Sequence, residues 1–295
     1  MAKAMSLDTK VFNETQGAIV RGEYSRPDGP RKFLASRAIQ EDVDYYSAEE
    51  VADLLEHADE KLAAALGSGG VVSVCERDMI EAALEIQAGR NDTDDKDAQP
   101  VLVLNFATAF RAGGSTEIGI HAQEGELCRR TTVFASISST EAHPFYDANI
   151  ALGGSLYTNG LLVSPHVEVF REVGYLTMET PVVVAVISSP APYVVNLKGV
   201  TDEELFDVLK ERIQGILAIA AQEGYRYLVL GAWGCDSNGN DPAMVARAFH
   251  AALDTPLAGS TFANLFNLVT FAVTDDSAGQ PNLTAFRNEF GSTAS

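Results

Sequence analysis

Two glycine-containing loops carry most of the residues whose types and spacing could do chemistry. The first loop covers residues 105–115, directly follows the apolar run 101–104, and ends in Gly113, Gly114 and Ser115. The second covers residues 231–240 and directly precedes a helix start with proline at its first position. Either loop alone is compatible with an ordinary turn. Together, at strand ends and helix N-termini, they predict a phosphate site formed by backbone N–H groups. Neither has the P-loop or the dinucleotide-binding glycine pattern.

Acidic residues follow the first loop at the start of a predicted helix. Seven residues after Ser115 come Gln123, Glu124, Gly125 and Glu126. Carboxylates at a helix N-terminus are favoured by the helix dipole, which is a purely structural explanation. A carboxylate beside a phosphate loop could also serve as acid or base on a glycosidic bond. The residues alone leave both explanations open.

Composition and charge limit the classes of function. The chain has 295 residues, of which 46% are hydrophobic, and 21 basic residues stand against 41 acidic ones for a net charge of −20. Such a chain forms one large or two small globular domains, and its charge disfavours general nucleic-acid binding. There is no apolar run long enough for a membrane span and no secretion signal, so no membrane partner is expected. Three irregularly spaced cysteines favour an intracellular location, cytoplasmic or nuclear.

No metal or other cofactor is predicted from the sequence. The five histidines are scattered, without the spacing of a zinc site. The acidic segment 90–99 superficially suggests a calcium loop, but Lys96 and Asp97 stand where a further ligand and the turn glycine should be. We therefore interpret this segment as a surface loop.

The order of predicted elements indicates an α/β fold. Residues 1–70 are mostly helical, with helices over 9–20 and 48–66, the second opened by a capping box of Ser47 and Glu50. We interpret them as an N-terminal helical extension packed on a core domain of residues 71–295. In that domain strands alternate with helices, which predicts a three-layer fold with a mostly parallel or mixed sheet. The predicted strands are 71–75, 101–104, 160–163, 181–187, 227–230 and 266–272, and the predicted helices are 79–88, 121–134, 201–222 and 242–253.

The chain resembles the bacterial- and fungal-type poly(ADP-ribose) glycohydrolases, a branch of the macrodomains. The signature of that family is Gly-Gly-Gly, six to eight residues, then Gln-Glu-Glu. Here Gly113 to Ser115, seven residues, and Gln123 to Gly125 occupy these positions. The flanking residues 103–107 and 127–130 also agree, and residues 230–235 with Gly239 and Asn240 resemble the second phosphate loop of the family.

The resemblance implies a macrodomain-like catalytic domain that binds ADP-ribose. Thr108 falls at a ribose-contacting position, Gly113 to Ser115 approach the diphosphate and distal ribose, and residues 234–240 wrap the diphosphate. The implied partners are poly(ADP-ribose) or an ADP-ribosylated protein, with free ADP-ribose as product or ligand. The expected ligand-binding residues are Asn105, Thr108, Gly113, Gly114, Ser115, Gln123, Gly234, Cys235, Asp236, Ser237, Asn238, Gly239 and Asn240.

Three departures from the family pattern touch the reacting end of the ligand. Gly125 stands where the family has its general acid, Asn238 where an aromatic residue braces the distal ribose, and Ser115 at the third glycine. We expect Glu124 to be the acid, with Glu126 as the alternative catalytic residue. The leading hypothesis is a poly(ADP-ribose) glycohydrolase. The alternatives are a module that binds ADP-ribose without cleaving it and a hydrolase of another ADP-ribose ester or related nucleotide.

Overall fold

The computed structural model describes residues 6–26, 29–67, 69–91, 99–195, 197–275 and 277–291. Its strands are β1 (Glu23–Ser25), β2 (Arg31–Phe33), β3 (Asp44–Tyr46), β4 (Val71–Cys75), β5 (Leu102–Phe106), β6 (Leu161–Arg171), β7 (Thr177–Ser189), β8 (Tyr227–Leu230), β9 (Pro256–Leu257), β10 (Ser260–Thr261) and β11 (Leu268–Ala272). Its α-helices are α1 (Leu7–Arg21), α2 (Arg37–Gln40), α3 (Ala48–Glu56), α4 (Ala58–Lys61), α5 (Met79–Asn91), α6 (Gln123–Arg130), α7 (Val133–Ile137), α8 (His143–Leu152), α9 (Asp202–Gln222), α10 (Pro242–Leu253) and α11 (Pro281–Phe290).

A seven-stranded mixed sheet forms the centre of the fold, in the order β3-β6-β7-β5-β8-β11-β4. The five strands from β7 to β4 run parallel, whereas β6 pairs antiparallel with β7 and with β3. Because β5 and β8 are parallel neighbours, their carboxyl ends lie side by side. The two glycine-containing loops follow these two strands, so the fold places the loops next to each other.

Helices cover both faces of this sheet. Leu102, Val103 and Leu104 of β5 are all fully or almost fully buried, although successive residues of a strand face opposite sides. This is the burial expected of a continuous apolar strand in a parallel sheet. The helix α6 packs against β5 and β6, and α9 packs against β7, α3 and α10. The predicted three-layer α/β fold with a mixed sheet is therefore confirmed.

Two predicted helices are interrupted. The capping box of Ser47 and Glu50 is present, but α3 ends at Glu56, and α4 and a short 3-10 turn follow. The helix ends where His57 leaves the helical region with a φ of −107° and a ψ of 20°, although its N–H still donates to the carbonyl oxygen of Asp53 at 3.2 Å. The helix predicted over 121–134 becomes α6 and α7, because Thr131 is extended and forms a bridge with Val169.

The N-terminal residues are integrated with the sheet and with the helices near the loops. The strand β3 forms the edge of the central sheet, and α1 packs against α6. The buried Thr15 hydroxyl donates to the carbonyl oxygen of Arg129 at 2.6 Å. The division at residue 70 stays a prediction. Most of the predicted surface loop over 90–99 lies outside the described residues, since α5 continues to Asn91 and residues 92–98 are not described.

Candidate active site

The side chain of Gln123 fixes the start of α6 against the end of β5. Its Oε1 accepts a hydrogen bond from the N–H of Phe106 at 2.8 Å, and its Nε2 donates to the carbonyl oxygen of Leu104 at 2.9 Å. The amide thus hydrogen-bonds to the strand backbone as a neighbouring strand would. Gln123 therefore positions the first turn of α6, including the residue that follows it.

Glu124 lies buried beneath the first loop, with only 3% of its surface exposed. Its Oε2 accepts from the N–H of Thr108 at 3.1 Å and from the Thr108 hydroxyl at 2.7 Å. Its Oε1 accepts from Nδ2 of Asn105 at 3.3 Å. Burial raises the pKa of Glu124 to about 7, although these hydrogen bonds act in the opposite direction. Near neutral pH the side chain is thus available both as an acid and as a carboxylate.

Glycine is required where the first loop passes over this carboxylate. Gly114 has a φ of +53°, and a Cβ there would lie 2.5 Å from Oγ1 of Thr108 and 3.5 Å from Oε2 of Glu124. Gly113 has a φ of +67°, and its Cβ would lie 3.0 Å from the ring of Phe134. Both the backbone conformation and the close approach exclude larger residues without rearrangement.

The second loop is fastened to the segment that follows β7. Nδ2 of Asn240 donates to the carbonyl oxygens of Pro192 at 2.8 Å and Gly234 at 3.0 Å, and Nδ2 of Asn238 donates to that of Ala191 at 2.9 Å. Gly234 has a φ of +74°, and a Cβ there would lie 2.4 Å from Cβ of Ala191. The loop is therefore held in one shape by side-chain amides and by the absence of a side chain at this glycine.

Two adjoining cavities lie between the loops. The large cavity, of about 460 Å³, is lined among others by Asp78, Met79, Gly234, Asp236, Asp275 and Asn282. The small cavity, of about 220 Å³, is lined among others by Thr108, Gly114, Glu124, Gly125, Tyr157 and Tyr193. The cavities share Phe106, Ala107, Ala122, Ser237 and Asn238, so together they form one cleft in two parts.

The structure brings most of the predicted site residues to this cleft. The large cavity takes in Gln123, Gly234, Asp236, Ser237 and Asn238, and the small cavity takes in Thr108, Gly113, Gly114, Ser115, Glu124, Ser237 and Asn238. Asn105, Cys235, Gly239 and Asn240 line neither cavity. Asn105 instead supports Glu124, and the half-buried Cys235, whose thiol pKa is raised by burial, contacts the carbonyl oxygen of Trp233.

Glu126 lines the large cavity rather than the small one. Its Oε1 accepts from Nη2 of the buried Arg129 at 2.7 Å and from the hydroxyl of Tyr175 at 2.9 Å. Nδ1 of His121 lies 3.4 Å from the same oxygen. Glu126 and Glu124 thus line different cavities, and the carboxylate of Glu126 is paired with a guanidinium.

Sequence reasoning missed the two tyrosines of the small cavity. Tyr157 lies between α8 and β6, and Tyr193 lies after β7, so both are far in sequence from the glycine-containing loops. Neither stands in a recognisable motif. Only the structure marks one of these positions as unusual, because Tyr157 has a φ of +63°.

No helix among the described residues is long and apolar enough to cross a membrane. Within the same ranges, no group of three or more histidine, cysteine, aspartate or glutamate side chains is arranged to hold a metal ion.

Comparisons with known proteins identify a family to which the chain is similar. Residues 13–172 match the family described as microbial-type PARG, catalytic domain, where PARG denotes poly(ADP-ribose) glycohydrolase. No curated protein sequence matches the chain significantly.

Solved structures of bacterial poly(ADP-ribose) glycohydrolases are similar over nearly the whole chain. The enzyme from Thermomonospora curvata is 35% identical with a TM-score of 0.85, and the match covers 96% of this chain and 99% of that one. Its complex with the inhibitor ADP-HPD gives a TM-score of 0.82 at 34% identity, with the same coverage of both chains. The Deinococcus radiodurans enzyme in complex with ADP-ribose is 34% identical with a TM-score of 0.73, covering 88% of this chain and 98% of that one. The resemblance noted in the sequence is confirmed, and the chain belongs to the microbial-type poly(ADP-ribose) glycohydrolase family.

Proposed function

We propose that this glycohydrolase cleaves the ribose glycosidic bond of poly(ADP-ribose) with Glu124 as its general acid. The observation that carries the proposal is the environment of Glu124, which is buried at the small cavity with its pKa raised to about 7. A general acid works best when its pKa lies near the working pH. Burial supplies this shift here, as it does for acids that protonate glycosidic oxygens.

The two-part cleft suits an ADP-ribose unit. The large cavity adjoins the second loop and has room for the adenosine diphosphate part, and the small cavity has room for the distal ribose. Backbone N–H groups around Gly234 can hold the diphosphate without a cation, which fits a chain of net charge −20. ADP-ribose is the ligand bound in the structure of the Deinococcus radiodurans relative.

The carboxyl group of Glu124 is the source of the proton in the proposed reaction. Oε2 accepts two bonds from Thr108, Oε1 accepts one from Asn105, and the backbone of Gly113 also hydrogen-bonds to the carboxylate. A proton on the Glu124 carboxyl group can pass to the leaving ribose oxygen as the bond to the anomeric carbon breaks. Among the described residues that line the small cavity, Glu124 is the single carboxylate. The same carboxylate can therefore accept a proton from the water that attacks the anomeric carbon.

Gly125 does not change this assignment. The hypothesis of a module that binds without cleaving rests on glycine at the family's acid position, but Glu124 is retained in a site that shifts its pKa upward. Membership of a glycohydrolase family also favours the enzyme over the binding module. The substrate, whether free polymer or modified protein, belongs to the proposal.

The test is release of ADP-ribose from poly(ADP-ribose) by wild type, Glu124→Gln and Glu117→Gln. Glu117 is an exposed acidic residue between the first loop and α6, and so provides a matched control. We expect Glu124→Gln to lower kcat by about 10²- to 10⁴-fold and Glu117→Gln to leave it unchanged. An active wild type that is insensitive to Glu124→Gln would remove Glu124 as the acid. A folded wild type that releases no ADP-ribose would refute the proposed activity.

A further inference from the structure

Three aromatic side chains gather at the small cavity, on segments that are distant in sequence. Tyr157 and Tyr193 line the cavity itself. The ring of Phe110 meets that of Tyr157 edge to face, with centroids 5.4 Å apart. Phe110 and Tyr193 remain 44% and 38% exposed. We call these three residues the aromatic wall.

A buried arginine fixes the two segments that carry the tyrosines. Nη2 of Arg212 donates to the carbonyl oxygens of Leu156 at 2.7 Å and Tyr157 at 3.1 Å, and Nη1 donates to that of Pro190 at 2.7 Å. The N–H of Tyr193 donates to the carbonyl oxygen of Ser155 at 2.8 Å. One guanidinium, only 2% exposed, therefore sets the spacing between the loop before β6 and the loop after β7.

The aromatic wall is held in place at an energetic cost. Tyr157 adopts a φ of +63°, a left-handed conformation that is unfavourable for a bulky residue. Arg212 is buried with carbonyl and amide oxygens as its hydrogen-bond acceptors, and burial lowers its pKa to about 10. Strained and desolvated groups of this kind persist at positions that the surrounding structure over-determines, which are commonly ligand sites.

We propose that the aromatic wall is a subsite for the adenine base of the leaving unit of poly(ADP-ribose). This inference rests on the proposed function, because Glu124 lines the same cavity and marks where the bond breaks. On the far side of that bond the polymer continues as the adenosine of the next unit. The flat face of an aromatic side chain stacks on a base, and such stacking strengthens the binding of nucleotides without a need for specific hydrogen bonds.

A cation beside the aromatic wall favours a nucleotide as the occupant. Arg111 follows Phe110 directly, is exposed, and donates from Nη2 to the hydroxyl of Ser115 at 3.1 Å. Among the described residues, no carboxylate lies within ion-pair distance of Arg111. In a chain with twice as many acidic as basic residues, an arginine without a carboxylate suits the diphosphate of the leaving unit.

The experiment compares two substrates that differ only in the leaving group. One is poly(ADP-ribose), and the other is ADP-ribose joined through its terminal ribose to trifluoroethanol, a leaving group without an aromatic ring. We expect Phe110→Ala to lower kcat/KM for the polymer by about five- to a hundred-fold. The value for the trifluoroethyl substrate stays within about twofold. Phe110→Trp, which keeps an aromatic ring, cleaves the polymer faster than Phe110→Ala does. The control is Phe33→Ala, at an aromatic residue of β2 that is 74% exposed, and it changes neither value.

Equal losses on both substrates would show that the aromatic wall braces the terminal ribose instead, and unchanged values on both would show that it binds nothing. Either result overturns the proposal. Calorimetry with Glu124→Gln supplies a readout that needs no turnover. There a two-unit fragment of the polymer should bind more tightly than ADP-ribose, and Phe110→Ala should remove the difference. If wild type cleaved neither substrate, the proposed function would fail while this binding difference still decided the subsite.

Discussion

Thr108 donates twice to one oxygen of Glu124, from its backbone N–H at 3.1 Å and from its hydroxyl at 2.7 Å. Both bonds favour the carboxylate, and burial favours the protonated form. The pKa of about 7 reflects the difference between these opposing effects. The first loop therefore tunes the acid as well as enclosing the ligand.

Thr108→Val removes the hydroxyl donor and keeps the backbone donor. Because the lost bond favours the carboxylate, the pKa of Glu124 should rise further. Activity that needs protonated Glu124 should then persist to higher pH, with its alkaline limb shifted up by as much as about one unit. The measurement is kcat against pH for wild type and variant. A limb that moves to lower pH, or stays in place, would contradict the assignment of the acid.

Glu124→Gln should change the pH dependence of stability. The folded chain keeps the Glu124 proton up to about pH 7, whereas the unfolded chain loses it near the ordinary pKa of 4.5. Between these values the native state binds more protons, so the free energy of unfolding falls as pH rises. This contribution to stability is complete below about pH 4.5 and is lost by the time the pH has passed 7. Glutamine carries no such dependence.

The melting temperature of Glu124→Gln minus that of wild type should therefore be larger at pH 8 than at pH 5. Thermal unfolding at the two pH values measures this difference. Glu117→Gln, at an exposed position, serves as the control and should show the same offset at both. An offset for Glu124→Gln that does not grow with pH would mean that Glu124 titrates normally.

The sequence predicted the strands beneath the cleft and both of its loops, because apolar runs and the glycines that mark turns are local signals. The resemblance to the family placed Glu124 at the site. The sequence could not predict the hydrogen bond between Tyr175 and Glu126, since the two residues are 49 positions apart. The hydrogen bond between Arg212 and the carbonyl oxygen of Tyr157 joins residues 55 positions apart and leaves no periodic pattern in the sequence. Contacts of this kind depend on how strands are ordered in the sheet, which local propensity does not encode.

Glu126→Gln should lower the free energy of unfolding, with little effect on kcat. The carboxylate of Glu126 pairs with the fully buried Arg129, and glutamine keeps a hydrogen bond but removes the charge. We expect the free energy of unfolding to fall by about 1–3 kcal/mol and kcat to change less than about threefold. Glu23→Gln, which removes an ion pair to the exposed Arg31, is the matched control and should cost at most about 1 kcal/mol. A large loss of kcat at unchanged stability would make Glu126 the acid instead.

Gly125→Glu restores the residue that the family has at this position, and we expect no gain in rate. A Cβ at Gly125 would lie 3.0 Å from Oγ1 of Thr116 and 3.2 Å from Nη1 and Nη2 of Arg129. Nη1 of Arg129 is buried without a hydrogen-bond partner among the described residues. The new carboxylate should therefore turn to Arg129 and away from the ligand.

The same contacts predict a modest loss. Thr116 donates to the carbonyl oxygen of Gly113 at 2.5 Å, so a side chain at residue 125 that displaces Thr116 also disturbs the first loop. Gly125→Ala separates the steric effect from the charge and should keep kcat within about threefold. Alanine also stabilises the helix by up to ~1 kcal/mol relative to glycine. The measurement is ADP-ribose release by wild type and both variants. A rise of about 10²-fold or more in Gly125→Glu would show that wild type lacks its acid and that Glu124 only orients the ribose.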